Sequence, residues 1–237
     1  MNLTPSKKKR KKIKKITSVL SVYEKRQWKR ILDSENRNVR ILEVGCGRCS
    51  KTVLLKKFGF HNILGVEKNL NLVNMAVSEG FNVVDVDSFE REFKDEQFDL
   101  LILSHIIEHF DFKDLIEFMS GYLKHLKPGG RLLIATPVLH EHFWLDLDHV
   151  KPYYPHGIKN FFGSDDEQVQ LRLPYKLKLI DIRFRRGPYK VKLSRALLLK
   201  KNDLPMLLIN LMSAFFFKIS CGLLGHKTGW IGLYKVY

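Results

Sequence analysis

The sequence predicts an α/β fold in which a mostly parallel β-sheet is covered by helices on both faces. Short apolar runs alternate with segments of helical periodicity through the first two thirds of the chain, as in repeated β-α-β units. These runs are apolar throughout, as expected for parallel strands buried on both faces. The 237 residues are 45% hydrophobic, which suffices for one packed domain with appended segments and excludes global disorder.

The predicted elements follow one another in regular order. Strands are predicted over five segments, Val39–Val44, Asn62–Glu67, Phe81–Val86, Phe98–Ser104 and Arg131–Thr136. Helices are predicted between them over Ser50–Phe58, Asn69–Gly80 and Asp114–Leu126. Glycine after the second helix and Pro-Gly-Gly after the third are typical helix stops.

The regular alternation of predicted strands and helices ends at Pro137. The aromatic and histidine-rich segment His140–Gly163 is predicted as a loop with a short helix. Alternating residues in Tyr175–Phe184 and an apolar run in Ile231–Tyr237 predict two last strands. Strands after the parallel β-α-β series complete the predicted sheet.

Basic residues are concentrated at the two ends of the chain. Residues 1–16 contain eight Lys or Arg and no acidic residue, and residues 171–237 contain fourteen Lys or Arg with only Asp181 and Asp203. The middle is slightly acidic, although the whole chain has a net charge of +16. Basic ends favour attachment to a polyanion, either a nucleic acid or an anionic membrane surface. A solvated tail without a partner is an equally open reading of the first run.

The three cysteines exclude two small-domain classes. Cys46, Cys49 and Cys221 are too few and too odd in number for a disulfide framework, and a zinc ribbon would need a second cysteine pair. The basic start of the chain does not have the apolar core of a secretory signal. We therefore expect a reducing, cytoplasmic location.

A glycine-rich turn follows the first predicted strand. Gly45 and Gly47 in the segment ILEVGCGRC permit a tight turn and leave room for a ligand against the main chain. The third glycine of the dinucleotide fingerprint is replaced by Ser50, and no Gly-Lys-Ser/Thr phosphate loop is present. Glu43 would repel a pyrophosphate but suits the ammonium group of an amino acid.

Acidic residues end the next two strands. A carboxylate at Glu67 can accept hydrogen bonds from the two hydroxyls of a ribose. Asp85 and Asp87 end the third strand, where an acceptor can meet an adenine amino group. An ammonium group, a ribose and a base without phosphate together describe S-adenosylmethionine.

With FDLLILSHIIEH at residues 98–109 and LKPGGRLLIATP at residues 126–137, the chain resembles the class I S-adenosylmethionine-dependent methyltransferases. The closest likeness is to the branch that acts on small molecules and glycans. The resemblance covers about Arg40–Phe162. It implies a Rossmann-like, doubly wound sheet of seven strands, with S-adenosyl-L-methionine as the cofactor of an active transferase.

The resemblance also implies the cofactor-binding residues. Those of the methionine-side loop are Glu43, Gly45, Cys46 and Gly47. Those expected at the ribose, the adenine and the end of the fourth strand are Glu67 with Lys68, Asp87 in preference to Asp85, and Ser104 with His105. Cys49 stands where the family has a third loop glycine, which leaves less room at the start of the helix.

A candidate catalytic residue lies after the fifth strand. Relatives that modify sugars or lipid-linked acceptors have a similar stretch to His149–Pro155. His149 is the expected base or acceptor-orienting residue, with Asp146 or Asp148 as its orienting partner. The alternative that His149 only fastens this loop stays open.

No metal site is expected from the sequence. His105, Glu108 and His109 match an inverted zinc-protease signature, but that signature needs both histidines on one helix face. The histidines of residues 140–156 have no clear carboxylate set.

The expected domain organisation is a basic tail over 1–16, a methyltransferase domain over 17–190 and a basic, apolar segment over 191–237 that completes the sheet. Leu204–Leu224 is strongly apolar, but its uncharged part is shorter than the ~20 residues that span a bilayer. Residues 190–224 therefore predict either contact with an anionic membrane surface or a core or dimer-interface helix.

The predicted function is methyl transfer to a small-molecule, glycan or lipid-linked acceptor, on oxygen. The expected place is the cytoplasm or, as a peripheral protein, the inner face of a membrane. Two alternatives remain: an RNA or DNA methyltransferase whose basic ends hold phosphate, and a cofactor-binding protein without catalysis.

Overall fold

The computed structural model describes residues 22–140, 143–163, 174–189 and 204–237. The predicted tail over 1–16 lies outside the described residues, as does the basic stretch 190–203.

The described strands form one seven-stranded sheet in the order β3-β2-β1-β4-β5-β7-β6. Their bounds are β1 Ile41–Val44, β2 Ile63–Val66, β3 Val83–Val84, β4 Phe98–Ser104, β5 Leu126–Pro137, β6 Leu177–Gly187 and β7 His226–Val236. The first five strands pair in parallel, and β7 runs antiparallel to β5. The predicted seven-stranded, mostly parallel sheet is confirmed.

Seven helices are described along the chain. They are α1 over residues 22–31, α2 Ser50–Lys57, α3 Leu70–Ser78, α4 Val86–Glu92, α5 Phe112–Leu123, α6 Pro155–Gly163 and α7 Leu204–Ile219. Short 3-10 turns lie at Ile107–His109 and Phe143–Leu145. Neither α1 nor α4 is predicted from the sequence.

Local chemistry explains where several elements begin. The Asp111 side chain accepts hydrogen bonds from the Lys113 and Asp114 backbone amides and starts α5 at Phe112, two residues before the predicted start. The predicted third strand shrinks to Val83–Val84 because Asp85 caps α4. In β5, the Pro-Gly-Gly segment lies inside the strand and not before it.

The fold divides into two compact units. We call residues 29–183 with 229–237 the sheet unit, and residues 1–28 with 184–228 the terminal unit. The centre of the sheet unit is apolar apart from Glu43 and Thr136: all four residues of β1 and of β2 are buried, as are the middle residues of β4 and residues 132–137 of β5. All the predicted site residues belong to the sheet unit, and α7 belongs to the terminal unit.

Candidate cofactor and acceptor site

The glycine-rich turn between β1 and α2 leaves one side of its backbone open. Gly45 and Gly47 have positive φ angles, +66° and +54°. A Cβ atom at Gly45 would lie 2.0 Å from the Ile106 side chain, whereas one at Gly47 would meet no atom within 4 Å. The turn is therefore packed against the protein at its first glycine and free to receive a ligand at its second.

Two cysteines of the turn point into the core. Both thiols are buried, in a cluster with Val73, Ala76 and Val83. Burial, with the neighbouring Cys49 as the next cause, raises the pKa of Cys46 far above its usual range. A ligand would consequently meet the backbone of Cys46 and not its thiol. Cys49 adopts a φ of 54°, so a side-chain-bearing residue takes the left-handed conformation that favours glycine.

Glu43 lies beneath this turn as a buried acid. Its carboxyl group is 2% exposed and accepts a hydrogen bond from the Thr52 hydroxyl at 2.6 Å. Burial raises the pKa of Glu43 to about 7, although the Thr52 hydrogen bond opposes the shift. A buried carboxyl group of this kind gains most from a nearby cation, which would restore its ionised form.

Glu67 ties the end of β2 to the glycine-rich turn. Its two carboxylate oxygens accept hydrogen bonds from the backbone amides of Gly47 at 2.8 Å and Asn69 at 3.0 Å. The structure thus brings Glu67 and Gly47 together from positions twenty residues apart. The side chain of Lys68, next in the chain, is exposed.

The two candidate adenine acceptors, Asp85 and Asp87, differ in the hydrogen bonds that they make within the protein. The Asp85 carboxylate accepts hydrogen bonds from the Ser88 amide and hydroxyl, which holds the start of α4 and lowers the pKa of Asp85. Asp87 lies in the first turn of α4 with an exposed side chain.

The end of β4 supplies a buried hydroxyl and a strained histidine. The Ser104 Oγ atom is buried and has no hydrogen-bond partner among the described residues. His105 follows with a φ of 59°, outside the range that most side chains favour, and its Nδ1 lies 3.1 Å from a carboxylate oxygen of Glu108. An unsatisfied buried hydroxyl at a strand end indicates a missing polar ligand.

Glu108 is a functional candidate that the sequence shows only as part of a zinc-protease signature, to which no role was given. It is completely buried, and its second carboxylate oxygen accepts a hydrogen bond from the Thr136 hydroxyl at 2.9 Å. Burial opposes ionisation, but the hydrogen bonds from His105 and Thr136 and the proximity of His105 outweigh it and lower the pKa of Glu108. The Ile-Ile-Glu-His stretch showed a carboxylate in an apolar run, which is the signal that could have identified it.

His149 is held against this cluster by its backbone and its ring. The amides of Val150 and Lys151 donate to the Glu108 carbonyl at 2.8 and 3.2 Å. The His149 Nδ1 atom donates to the Phe143 carbonyl at 2.7 Å, so Nε2 carries the lone pair. Asp146 Oδ2 lies 3.6 Å from Nε2, whereas Asp148 contributes its backbone carbonyl, which accepts from His109 Nδ1 at 3.1 Å. The Phe143 backbone carbonyl, and not an aspartate, therefore accepts the hydrogen bond that orients the His149 ring.

Three observations in the sheet unit fit S-adenosylmethionine. The backbone is open at Gly47, the buried Glu43 suits an ammonium group, and the orphaned Ser104 hydroxyl offers a hydrogen bond. All three stand at the carboxyl ends of parallel strands, where open α/β sheets bind their ligands.

Comparison with known proteins identifies the family. Residues 18–172 match the family model described as a methyltransferase domain. Among curated relatives, a mitochondrial ubiquinone biosynthesis O-methyltransferase of Dictyostelium discoideum is 26% identical over 142 residues, covering 53% of this chain and 43% of the relative. A protein of Bos taurus named probable tRNA methyltransferase 9B is 30% identical over 115 residues, covering 47% of this chain and 25% of the relative. The matches thus span less than half of each curated relative.

The fold has a counterpart among solved structures. An S-adenosylmethionine-dependent methyltransferase from Archaeoglobus fulgidus superimposes with a TM-score of 0.56 at 23% identity, covering 89% of this chain and 92% of that one. The superposition supports the fold, and the family match covers more than half of the chain. The chain therefore belongs to the methyltransferase domain family and is a class I S-adenosylmethionine-dependent methyltransferase.

Proposed function

We propose that this methyltransferase transfers the methyl group to an oxygen atom of a small-molecule, glycan or lipid-linked acceptor. The observation that carries the proposal is the oriented His149 ring, whose Nε2 lone pair is available beside the buried Glu108 cluster. Oxygen acceptors need a proton removed, and an oriented neutral imidazole is suited to that role.

In this proposal the cofactor is held by the residues at the ends of β1, β2, β3 and β4. Glu43 faces the ammonium group, the backbone of residues 45–47 the methionine portion, Glu67 with Lys68 the ribose, Asp87 the adenine, and Ser104 with His105 the remaining side. When bound there, S-adenosylmethionine supplies an electrophilic methyl group on a sulfonium. The contribution of the chain is chiefly to position the two reactants in line.

His149 acts on the acceptor. Its Nε2 takes the hydroxyl proton while the acceptor oxygen bonds to the methyl carbon and the carbon–sulfur bond breaks, so the sulfonium becomes a neutral thioether. Asp146, 56% exposed and 3.6 Å from Nε2, is placed to stabilise the imidazolium that forms. His149 then returns the proton to solvent.

The names of the curated relatives differ in both the methylated atom and the acceptor, and one relative, of Triticum aestivum, is named phosphoethanolamine N-methyltransferase 1. The Dictyostelium relative is named as an O-methyltransferase of ubiquinone biosynthesis. The Bos taurus relative is named for tRNA, and the basic ends of this chain suit phosphate equally well. Transfer to a nucleic acid is therefore the second candidate, which the experiment below separates from the first.

We further propose that the terminal unit attaches the enzyme to an anionic membrane surface. Within the described residues, no helix combines the length and apolarity that crossing a membrane requires. Helix α7 nevertheless exposes most of its large apolar side chains. The inward stripe consists of Asn210, Ser213, Ala214 and Phe217, whereas the exposed side chains are large and apolar: Leu208, Ile209, Leu211, Met212, Phe215, Phe216 and Ile219.

Contacts within the terminal unit explain this orientation. The Ser213 hydroxyl donates to the Tyr189 carbonyl, and the buried Phe217 ring packs edge-on against Tyr23 at 5.6 Å. Leu223 and Leu224, just beyond the helix, are exposed as well. An exposed apolar face of this size marks an interaction surface.

The net positive charge of the terminal unit favours a negatively charged partner. Its described residues include six Lys or Arg, namely Lys25, Arg26, Arg185, Arg186, Lys218 and Lys227, against the single acid Glu24. Apolar side chains next to basic ones suit a bilayer with anionic headgroups. The apolar side chains can insert among the acyl chains, and the basic side chains attract the negatively charged headgroups.

One experiment tests the transfer and its acceptor class. The protein is incubated with methyl-labelled S-adenosylmethionine and a fractionated cell extract, and label is counted in lipid, nucleic-acid, protein and soluble pools. Base-stable, ether-type label in the lipid or soluble pool supports the proposal. Label confined to nucleic acid would replace it by the second candidate.

His149 is tested in the same assay. His149→Ala should bind the cofactor normally and lower turnover by about 10²–10⁴-fold, the usual contribution of general acid–base catalysis. His156→Ala is the matched control, because His156 is an exposed histidine on α6. Wild-type turnover of His149→Ala would return His149 to the role of fastening the loop.

A further inference from the structure

We infer that Glu108, His109 and His149 form a binding site for a divalent transition-metal ion. One carboxylate oxygen of Glu108 and one ring nitrogen of each histidine all lie within 4.8 Å of one another. The three residues come from two separate segments, the 3-10 turn after β4 and the loop after β5. The donors are therefore close enough together to share one ion.

Both histidines are oriented as metal ligands usually are. His109 Nδ1 donates to the Asp148 carbonyl at 3.1 Å, and His149 Nδ1 donates to the Phe143 carbonyl at 2.7 Å. In the neutral ring, each bond leaves Nε2 as the nitrogen with the lone pair that a metal needs. The two ring centroids are 5.0 Å apart, so the two imidazole rings are direct neighbours.

Glu108 is held as a ligand should be. One of its oxygens accepts a hydrogen bond from His105 Nδ1 at 3.1 Å, and the other accepts one from the Thr136 hydroxyl at 2.9 Å. Each carboxylate oxygen has a second lone pair, which remains for a cation. The amides of Val150 and Lys151 bind the Glu108 carbonyl and keep the His149 loop beside it.

The donor set favours particular metals. Two imidazole nitrogens and one carboxylate oxygen suit Zn²⁺, Co²⁺, Fe²⁺ or Mn²⁺ rather than Ca²⁺, which prefers six to eight oxygens. Three protein ligands leave coordination positions for a substrate, as in catalytic sites. The sequence predicts no metal site, because the zinc-protease signature needs both of its histidines on one helix face. In the structure His105 supports Glu108, and His149 takes the place of the second histidine.

This inference rests on the proposed function and deepens it by assigning how the acceptor oxygen is activated. A cation bound here would coordinate the acceptor hydroxyl and lower its pKa, so that its proton passes to solvent. The oxygen then bonds to the methyl carbon as the carbon–sulfur bond breaks. His149 would in this case hold the cation instead of taking the proton itself.

Cobalt binding to the full chain tests the site without any acceptor. Chelator-treated protein is titrated with Co²⁺, whose visible absorption reports nitrogen and oxygen ligation. We expect saturable, stoichiometric binding with intense bands and a higher Tm in the presence of the ion, since a ligand of the folded state stabilises it. Absence of saturable binding would overturn the inference.

Variants locate the ion. His109→Ala and His149→Ala should each lose the intense bands, whereas His156→Ala should keep them. Thr136→Val, which removes only a hydrogen bond to Glu108, should weaken Co²⁺ binding about 10-fold or more. Retained cofactor binding shows that each variant is folded. Unchanged spectra in both His→Ala variants would overturn the assignment of these ligands.

The two proposals fail separately. Methyl transfer that persists in chelator-treated enzyme without cobalt binding overturns the metal site and leaves the proposed function intact. Stoichiometric cobalt binding without label in any acceptor pool supports the metal site and counts against the proposed acceptor chemistry.

Discussion

At the scale of single residues, Glu67 shows how a cofactor residue can also organise the protein. Its carboxylate accepts hydrogen bonds from the Gly47 and Asn69 amides, so it already shapes the glycine-rich turn before any ligand binds. The proposed ribose contact would use the remaining lone pairs of the same carboxylate.

Replacing Glu67 should weaken cofactor binding. Glu67→Ala should cost ~1–3 kcal/mol of binding free energy, as expected for a lost hydrogen bond to a charged group, measured by calorimetric titration with S-adenosylmethionine. Glu79→Ala, at an exposed carboxylate after α3, is the control. Equal affinities of the wild type and Glu67→Ala would exclude the ribose role.

Glu43 should make stability depend on pH. Its pKa rises from 4.5 to about 7 in the folded chain. Between these values the folded state binds more protons than the unfolded state, so the contribution of Glu43 to the free energy of unfolding falls as the pH rises. The loss is complete above about pH 7 and amounts to at most roughly 3 kcal/mol.

Urea unfolding at pH 5 and pH 8 measures this effect. Glu43→Gln has no titrating group at this position, so its stability should fall less between the two pH values than that of the wild type. An identical pH difference in both proteins would contradict the raised pKa.

At the scale of elements, short polar contacts decide boundaries that apolar patterns do not show. The Val-Val-Asp-Val run looks like the middle of a strand, yet the Asp85 bonds to Ser88 begin a helix there. Asp111 moves the start of α5 in the same way. At each position the chain could continue as it was or begin a helix with a side-chain cap. The helix begins because the aspartate carboxylate accepts hydrogen bonds from first-turn amides that would otherwise be unpaired.

The exposed apolar side chains of α7 allow a direct test of membrane attachment. The double variant Met212→Glu with Phe215→Glu changes two side chains that are 59% and 60% exposed. In a sedimentation assay it should bind vesicles of mixed neutral and anionic lipid about 10-fold or more weakly. Two apolar contacts are lost, and the two new glutamates are repelled by the negatively charged lipid headgroups.

Val77→Glu on α3 is the matched control, since Val77 is also an exposed apolar residue. It should bind vesicles as the wild type does, and binding should weaken with added salt. Equal vesicle binding by the double variant and the control would exclude α7 as the attachment surface.

At the scale of the whole molecule, the cofactor half of the candidate site could be predicted from the chain alone. Parallel strands place their carboxyl ends at one edge of the sheet, so residues at successive strand ends converge without any knowledge of side-chain packing. Glu43 and Glu67 were predicted from such positions and Ser104 from the family resemblance, and their roles at the cofactor stay predictions.

The acceptor half required the fold. His149 and Glu108 are forty-one positions apart in the sequence, and no repeat or spacing joins a loop after β5 to a turn after β4. The outward face of α7 was likewise undecidable, because its residues are apolar nearly all round and hydrophobic periodicity therefore has no preferred direction.

The sequence by itself determined the series of strands, the glycine-rich turn and the membership of the methyltransferase family, because these depend on local patterns and on motif order. Only the tertiary structure decided that donor atoms of Glu108, His109 and His149 lie within 4.8 Å of one another and that α7 exposes most of its large apolar side chains. Such arrangements are set by backbone contacts between distant segments, and no short stretch of sequence records them.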